Sequence, residues 1–275
     1  MRALVLSGGG AHGAYENGAL QWLLAHKEIK YDLLCGISVG ALNCAVLSMF
    51  ELGQEKAAAR GLSNLWHQIS NKKIFKEHLP LGRVLAFWKN SVVNSQPLLD
   101  FIDFKYTHAQ TTDTRRKIII GAVSLTSGKY VEFDQSSKYL TDAIKASSAY
   151  PVFFTPVHFD NQWWADGGIK TIAPLDAAVR AGATHIDMII TTPADSKPWP
   201  NKNPKTLDIA LRVLDLTYEE ILDDDLVACV TKYPDVTIRV LRPVKELSGS
   251  SIDFNPQKIT ELTDLGFKDA QVMWP

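Results

Sequence analysis

Short, wholly apolar runs alternate along the chain with helical spacings of apolar residues, and the changes from one to the other fall at glycines. Residues 3–6, Ala-Leu-Val-Leu, stop at Ser7-Gly8-Gly9-Gly10. That pattern predicts a buried strand entering a tight turn. From Gly13 onward, Ala14, Leu20, Trp22, Leu23 and Leu24 recur at helical spacing. They predict a helix packed on a sheet, with Gly18 permitting close approach. Residues 31–35 then read as a second strand and 41–50 as a second helix. Two successive strand-loop-helix units imply crossover connections. The expected class is α/β, a three-layer sandwich whose mainly parallel central sheet is covered by helices on both faces.

The pattern continues with a helix over 54–69, carrying Ala57, Leu62, Leu65, Trp66 and Ile69 on one side. Residues 71–94 lose clear periodicity, although Ile74, Phe75, Leu79, Leu81, Val84, Leu85, Phe87 and Trp88 lie among lysines and a proline. Core packing of short helices is preferred there to a flap over a site. Ser95 caps a further short helix with Pro97 in its first turn. Residues 117–125 and 129–133 predict a hairpin around Thr126-Ser127-Gly128. A helix over 139–148 ends before Pro151, and a β-rich region follows over 153–159 and 162–165. Further elements are a helix over 174–181, a strand over 185–192, a loop over 193–204, and a long amphipathic helix carrying Leu207, Leu211, Leu214, Tyr218, Ile221 and Leu222. A last strand (236–241) and a last helix (256–270) complete the set. With no internal repeat or linker, the expectation is one domain over 1–275, with a helix-strand-helix extension packed on a core of about 3–192.

Composition narrows the function classes. With 46% hydrophobic and 21% charged residues in a chain of 275, an ordinary globular protein is expected. Lys+Arg (29) and Asp+Glu (30) nearly cancel, so no basic field favours nucleic acid, and any contact with a membrane surface must be local and transient. The start of the chain has neither a signal-type apolar region nor a spanning helix, from which a cytoplasmic location is expected. Three cysteines, Cys35, Cys44 and Cys229, sit in apolar surroundings and are read as buried thiols rather than a disulfide or zinc framework. No cofactor and no metal are called for, and no oligomeric state is assigned.

Candidate chemistry centres on Gly36-Ile37-Ser38-Val39-Gly40. In G-x-S-x-G a sharp strand-to-helix turn leaves little room for side chains, so the serine hydroxyl projects outward as a nucleophile. Such a serine needs a neighbouring base and preorganised donors for the oxyanion. The donors are sought in the loop Gly8-Gly9-Gly10-Ala11-His12-Gly13, whose amides and following helix start face the same sheet edge. The base is sought in Asp166, held between Ala165 and the turn Gly167-Gly168.

Together these blocks resemble the patatin-like phospholipase family. The glycine loop resembles its oxyanion loop, residues 36–42 its nucleophile elbow, and Asp166-Gly167-Gly168 its aspartate turn. Lys145-Ala146-Ser147-Ser148-Ala149-Tyr150-Pro151, Thr171-Ile172-Ala173-Pro174-Leu175 and Arg180-Ala181-Gly182-Ala183 resemble further family blocks, the first of which helps to shape the site. The likeness spans about 3–192 and is weaker near 252–266. It implies a patatin-like fold and a Ser38-Asp166 dyad that hydrolyses acyl esters of lipids without a metal. One departure is His12, where the family usually has Arg or Lys. An imidazole with an unperturbed pKa of about 6.5 replaces a permanent cation, which shifts the expected oxyanion contacts towards the Gly9 and Gly10 amides.

Three rival readings fit less well. Gly8, Gly10 and Gly13 also spell G-x-G-x-x-G, with Asp32 downstream as a ribose-binding acid, but Asp32 precedes its strand instead of closing it. His185 follows Asp166 in the order of an α/β-hydrolase triad, yet it opens a strand and is read as structural. A catalytically silent lipid-binding protein on the same scaffold is disfavoured by intact Ser38 and Asp166. Asp223-Asp224-Asp225 is read as a solvated helix face. Trp163-Trp164 and Phe153-Phe154 are weighed as acyl-pocket walls, with one tryptophan facing in and the other out.

Overall fold

The computed structural model describes residues 1–77, 89–105, 115–193, 199 and 203–275. The central part of the 71–94 segment and much of the 193–204 loop lie outside the described residues. Among those described, eight strands form one sheet: β1 (Arg2–Leu6), β2 (Leu33–Gly36), β3 (Lys117–Ser124), β4 (Tyr130–Asp134), β5 (Val157–Phe159), β6 (Gln162–Asp166), β7 (His185–Ile189) and β8 (Thr237–Leu241). The run β3-β2-β1-β7-β8 is parallel throughout. The hairpin β3-β4 and the pairs β3-β6 and β5-β6 are antiparallel.

Strand alternation explains the layers. On β1, Leu4 and Leu6 join one apolar core with Leu34, Ile118 and Ile120, while Ala3 and Val5 join a second core with Leu33, Cys35, Ile186 and Met188. Successive side chains point to opposite faces, so a strand with no polar position needs cover on both. The first face is covered by α1 (Gly13–Leu20, continuing as a π-helical stretch Gln21–His26), α2 (Val39–Ser48), α3 (Glu55–Gln68), α5 (Gln96–Lys105), α6 (Leu140–Ser147) and α9 (Pro256–Met273), with the short α4 (Asn71–Ile74) beside α5. The second is covered by α7 (Leu175–Arg180) and α8 (Thr206–Lys232), through Leu175, Ala178, Leu222 and Cys229. This is the three-layer arrangement expected, and Cys35, Cys44 and Cys229 are free and buried within it.

Several local expectations change. Gly18 meets not the sheet but α9, because a Cβ there would run into the Thr263 carbonyl oxygen. The predicted β-rich stretch starting at 153 shortens to Val157–Phe159. Val152 is left-handed (φ 69°) and the Phe154 amide donates back to Tyr150 O at 2.9 Å, so Phe153 and Phe154 lie in a turn. Asp223 is exposed and pairs with Arg242 at 2.9 Å, but Asp225 is half-buried, and burial pushes its carboxyl up to about 6. The acidic run is therefore solvated only in part.

Candidate active site

β2 delivers the chain to Gly36, Ile37 N–H donates to Leu6 O at 3.3 Å, and α2 starts at Val39. Ser38 is squeezed between them at φ 55° and ψ −124°, a conformation that strains a residue bearing a Cβ. Gly40 is what lets the turn close. A Cβ at position 40 would stand 2.5 and 2.6 Å from the Leu6 and Ser7 carbonyl oxygens of β1 and the loop after it. The Ser38 amide donates to Ser147 Oγ at 2.8 Å, so α6 braces the strained residue from below.

Asp166 reaches the same place through β3, which neighbours both partners. Gly36 pairs with Ile120 and Asp166 pairs with Ala122, two residues further along the same strand. Its amide donates to Ala149 O at 3.1 Å, so the last residue of α6 and the segment just after it touch the backbones of the two residues in turn. The side chain caps the 3-10 turn Gly167–Ile169, with Oδ1 accepting from Gly168 N at 2.8 Å. Burial raises the carboxyl from 3.8 to about 7, offset in part by hydrogen bonding from the Ser38 side chain and the Gly168 amide. A buried carboxylate that prefers its proton near neutrality has the proton affinity of a general base.

The glycine loop lies against this pair, and a Cβ at Gly8 would come within 3.3 Å of Ser38 Cβ. Most of its amides are already engaged: Gly8 N with Ile172 O (3.0 Å), Ala11 N with Ser251 O (2.7 Å), His12 N with Gly9 O (3.1 Å), and Gly13 N with Gly10 O and Ala11 O. The Gly9 and Gly10 amides have no acceptor among the described residues. Thr191 holds the loop from β7's side, donating from Oγ1 to Gly8 O at 2.6 Å. His12 Nε2 lies 3.3 Å from Gly249 O. Desolvation lowers its pKa against the opposing pull of that carbonyl, with nearby Lys258 lowering it further, so the ring is neutral at neutral pH. It fastens the loop to the 249–251 segment and brings no fixed cation.

Above Ser38 and Asp166 opens a cavity of about 400 Å³. Leu65, Trp66, Ile69, Leu98 and Phe154 form an apolar wall, and Asp208, Arg212, Asp215, Tyr218 and Glu219 of α8 form a polar one. Of the aromatics weighed as pocket walls, only Phe154 reaches it. Trp163 is 47% exposed beside His158, whereas Trp164 is buried between Phe133 and Phe159, the in-and-out split expected of a strand pair. His185 pairs with Arg2 at the opposite end of the sheet from Gly36, and its Nδ1 lies 3.1 Å from Thr184 Oγ1. A triad through it is thereby overturned. Asp32 sits at that same far end, accepting from Arg2 N at 2.9 Å, which removes the ribose-binding acid of a dinucleotide site. Among the described residues no cluster of His, Cys, Asp and Glu is grouped to hold a metal ion.

The comparisons bear directly on this geometry. Residues 4–179, which contain the glycine loop, the elbow and the aspartate turn, match the family described as Patatin-like phospholipase. The chain belongs to this family. Relatives include the "Probable lipid hydrolase 463L" of Invertebrate iridescent virus 6, 24% identical over 94% of this chain and 84% of that protein. "Calcium-independent phospholipase A2-gamma" of Oryctolagus cuniculus is 25% identical over 62% of this chain, a match that spans only 24% of that phospholipase. Among solved structures, the crystal structure of VipD from Legionella pneumophila covers 99% of this chain and 66% of its own, at 13% identity and a TM-score of 0.47.

Some of the site has no signature in the sequence. Thr191 and Ser251 act through a hydroxyl or a backbone carbonyl and belong to no motif, whereas Ser147 and Ala149 fall within the 145–151 block expected to shape the site; the polar face of α8 shows in the sequence only as one side of an amphipathic helix.

Proposed function

We propose that this patatin-like protein is a lipid acyl hydrolase of the phospholipase A or lysophospholipase type, working through a Ser38-Asp166 dyad and an acyl-enzyme. The observation that carries the reading is a strained, cavity-facing serine against a buried carboxylate of raised proton affinity. Asp166 takes the Ser38 proton as the hydroxyl attacks the ester carbonyl. The developing oxyanion is received by the unengaged Gly9 and Gly10 amides, donors already oriented before the reaction. The proton then passes to the departing alcohol, and water activated by Asp166 releases the fatty acid. The apolar wall suits an acyl chain, and the relatives named as a lipid hydrolase and a phospholipase support a lipid ester as the substrate.

Access to lipid is read as transient surface contact. Trp199 stands at the cavity and is 38% exposed, and Ile209, Val213 and Leu216 follow as an exposed apolar stripe on α8. Among the described residues no helix is long and apolar enough to cross a membrane. The test is active-site labelling with a fluorophosphonate. Wild type is expected to be modified stoichiometrically and Ser38→Ala not at all. Folded wild type that resists labelling and releases no fatty acid from a lipid panel would sink the proposal.

A further inference from the structure

The cavity has two unlike sides, and one group on the polar side lacks a partner. On α8, Asp208, Leu211, Arg212, Asp215, Tyr218 and Glu219 line the cavity at helical spacing, and all but Leu211 are polar. Tyr218 is the member next to the dyad: its Cζ lies 3.6 Å from where a Cβ on Gly168 would stand, two residues beyond Asp166. Its ring packs edge-on against Tyr150, with centroids 6.0 Å apart. Tyr150 is satisfied, donating to Asp215 Oδ1 at 3.3 Å. The Tyr218 hydroxyl is buried and has no hydrogen-bond partner among the described residues.

A buried donor left without an acceptor forfeits its hydration with nothing in return. Burial, and after it the negative charge of Asp166, raises the Tyr218 pKa, so the phenol stays protonated and keeps an O–H to donate. A buried polar group left unpaired calls for an explanation, and beside a reaction centre a role in the reaction is one. The acceptor missing here is one that appears next to Asp166, on the side of the cavity away from the apolar wall. In ester cleavage that is the alcohol oxygen.

Building on the hydrolase reading, we infer that Tyr218 is a further catalytic residue, whose hydroxyl hydrogen-bonds the departing alcohol oxygen of the ester, and that the α8 face beside it holds a polar alcohol such as a glycerol unit. As the tetrahedral intermediate collapses, the bond from the carbonyl carbon to the alcohol oxygen breaks and its electron pair stays on that oxygen. The proton that Asp166 took from Ser38 is delivered there. Tyr218 keeps its own proton and lends only a hydrogen bond, which strengthens as negative charge develops.

A poor leaving group needs this help and a good one does not, which makes Tyr218→Phe diagnostic. The kcat/KM of wild type and variant would be compared on a monoacylglycerol and on the p-nitrophenyl ester of the same acyl chain, alongside the rate of fluorophosphonate labelling. The expected result is a fall of about tenfold to a hundredfold on the glycerol ester, the worth of a hydrogen bond to a charged oxygen. The p-nitrophenyl ester should change less than about threefold, labelling should be unaltered, and Tm should hold or rise because an orphaned hydroxyl has been removed. Equal losses on both esters would overturn the inference in favour of a role in positioning Asp166, and unchanged turnover of both would overturn it outright. A lowered Tm would show that the hydroxyl has a partner in the folded protein and would also overturn it. Wild type that neither labels nor turns over any ester would instead remove the hydrolase reading on which this one rests.

Discussion

Replacing Asp166 by asparagine separates what this residue does for catalysis from what it costs the fold. Its carboxyl is raised from 3.8 to about 7 because it is fully buried, and only the Ser38 and Gly168 hydrogen bonds hold it down. Below the unfolded-state value both folded and unfolded chains are protonated at this position. Between 3.8 and about 7 the folded chain keeps a proton that the unfolded chain has released, so stability falls as pH rises through that window. At about 1.4 kcal/mol per unit, the full span amounts to a burial cost of about 4 kcal/mol once the pH exceeds the folded pKa. Asparagine is nearly isosteric, its amide oxygen still accepts from the Gly168 amide, and it carries no charge to bury. Asp166→Asn is therefore expected to match wild type in urea unfolding near about pH 4 and to exceed it by up to about 4 kcal/mol near about pH 8. Turnover should fall by on the order of a hundredfold to ten-thousandfold, the usual worth of a general base. The wild-type kcat/KM should lose activity on the acid side with an apparent pKa of about 7, because a protonated Asp166 cannot take the serine proton. A stability difference that stays flat across the series, or an acid limb centred near the ordinary carboxylate value, would refute the reasoning.

The supports of the dyad make two further predictions. Ser147→Ala removes the acceptor of the buried Ser38 amide and is expected to cost about 1–3 kcal/mol in thermal unfolding, with a roughly tenfold fall in kcat and little change in KM. His12→Gln keeps a donor for Gly249 O and removes no cation, since the imidazole is already neutral, so ester hydrolysis at neutral pH should stay within about threefold of wild type. A loss on the order of a hundredfold in steady-state assays would mean that an imidazolium faces the oxyanion.

Those supports also mark what the chain reveals when read in order and what it does not. The elbow is legible because its glycines sit two residues either side of Ser38: a Cβ at Gly36 would run into the Gly40 carbonyl, and one at Gly40 into the carbonyls at the end of β1. The layers are legible for the same reason, since Ala3, Leu4, Val5 and Leu6 are all apolar and a strand with no polar face must be covered twice. The boundaries of β5 are not, because Phe153 and Phe154 have strand propensity but follow a left-handed Val152 and fill a core beside Phe75.

Asp166 stands out by its flanking glycines, but its meeting with Ser38 depends on the register of β3, a strand far from either in sequence. Register is set by which faces must be buried and leaves no motif behind. Of the braces, Ser147 and Ala149 are visible only as members of the 145–151 block, without their individual contacts, and Thr191 less still, since a lone hydroxyl holding a loop leaves no motif. The α8 helix carries this furthest. Leu222 and Cys229 bury it against the second core, and that burial accounts for its apolar pattern. Its period reports that one side is covered, yet the chemistry falls on a different face, where Asp208, Arg212, Asp215 and Glu219 look like ordinary solvated positions until a cavity is found in front of them. Tyr218 sits between the two faces, and a tyrosine counted as core by its spacing differs from one poised to donate only in whether an acceptor stands within reach. That is a property of neighbours brought by β6 and the turn after it, so the selectivity proposed for the alcohol part of the ester rests where three separate segments converge, and no single stretch of the chain carries it.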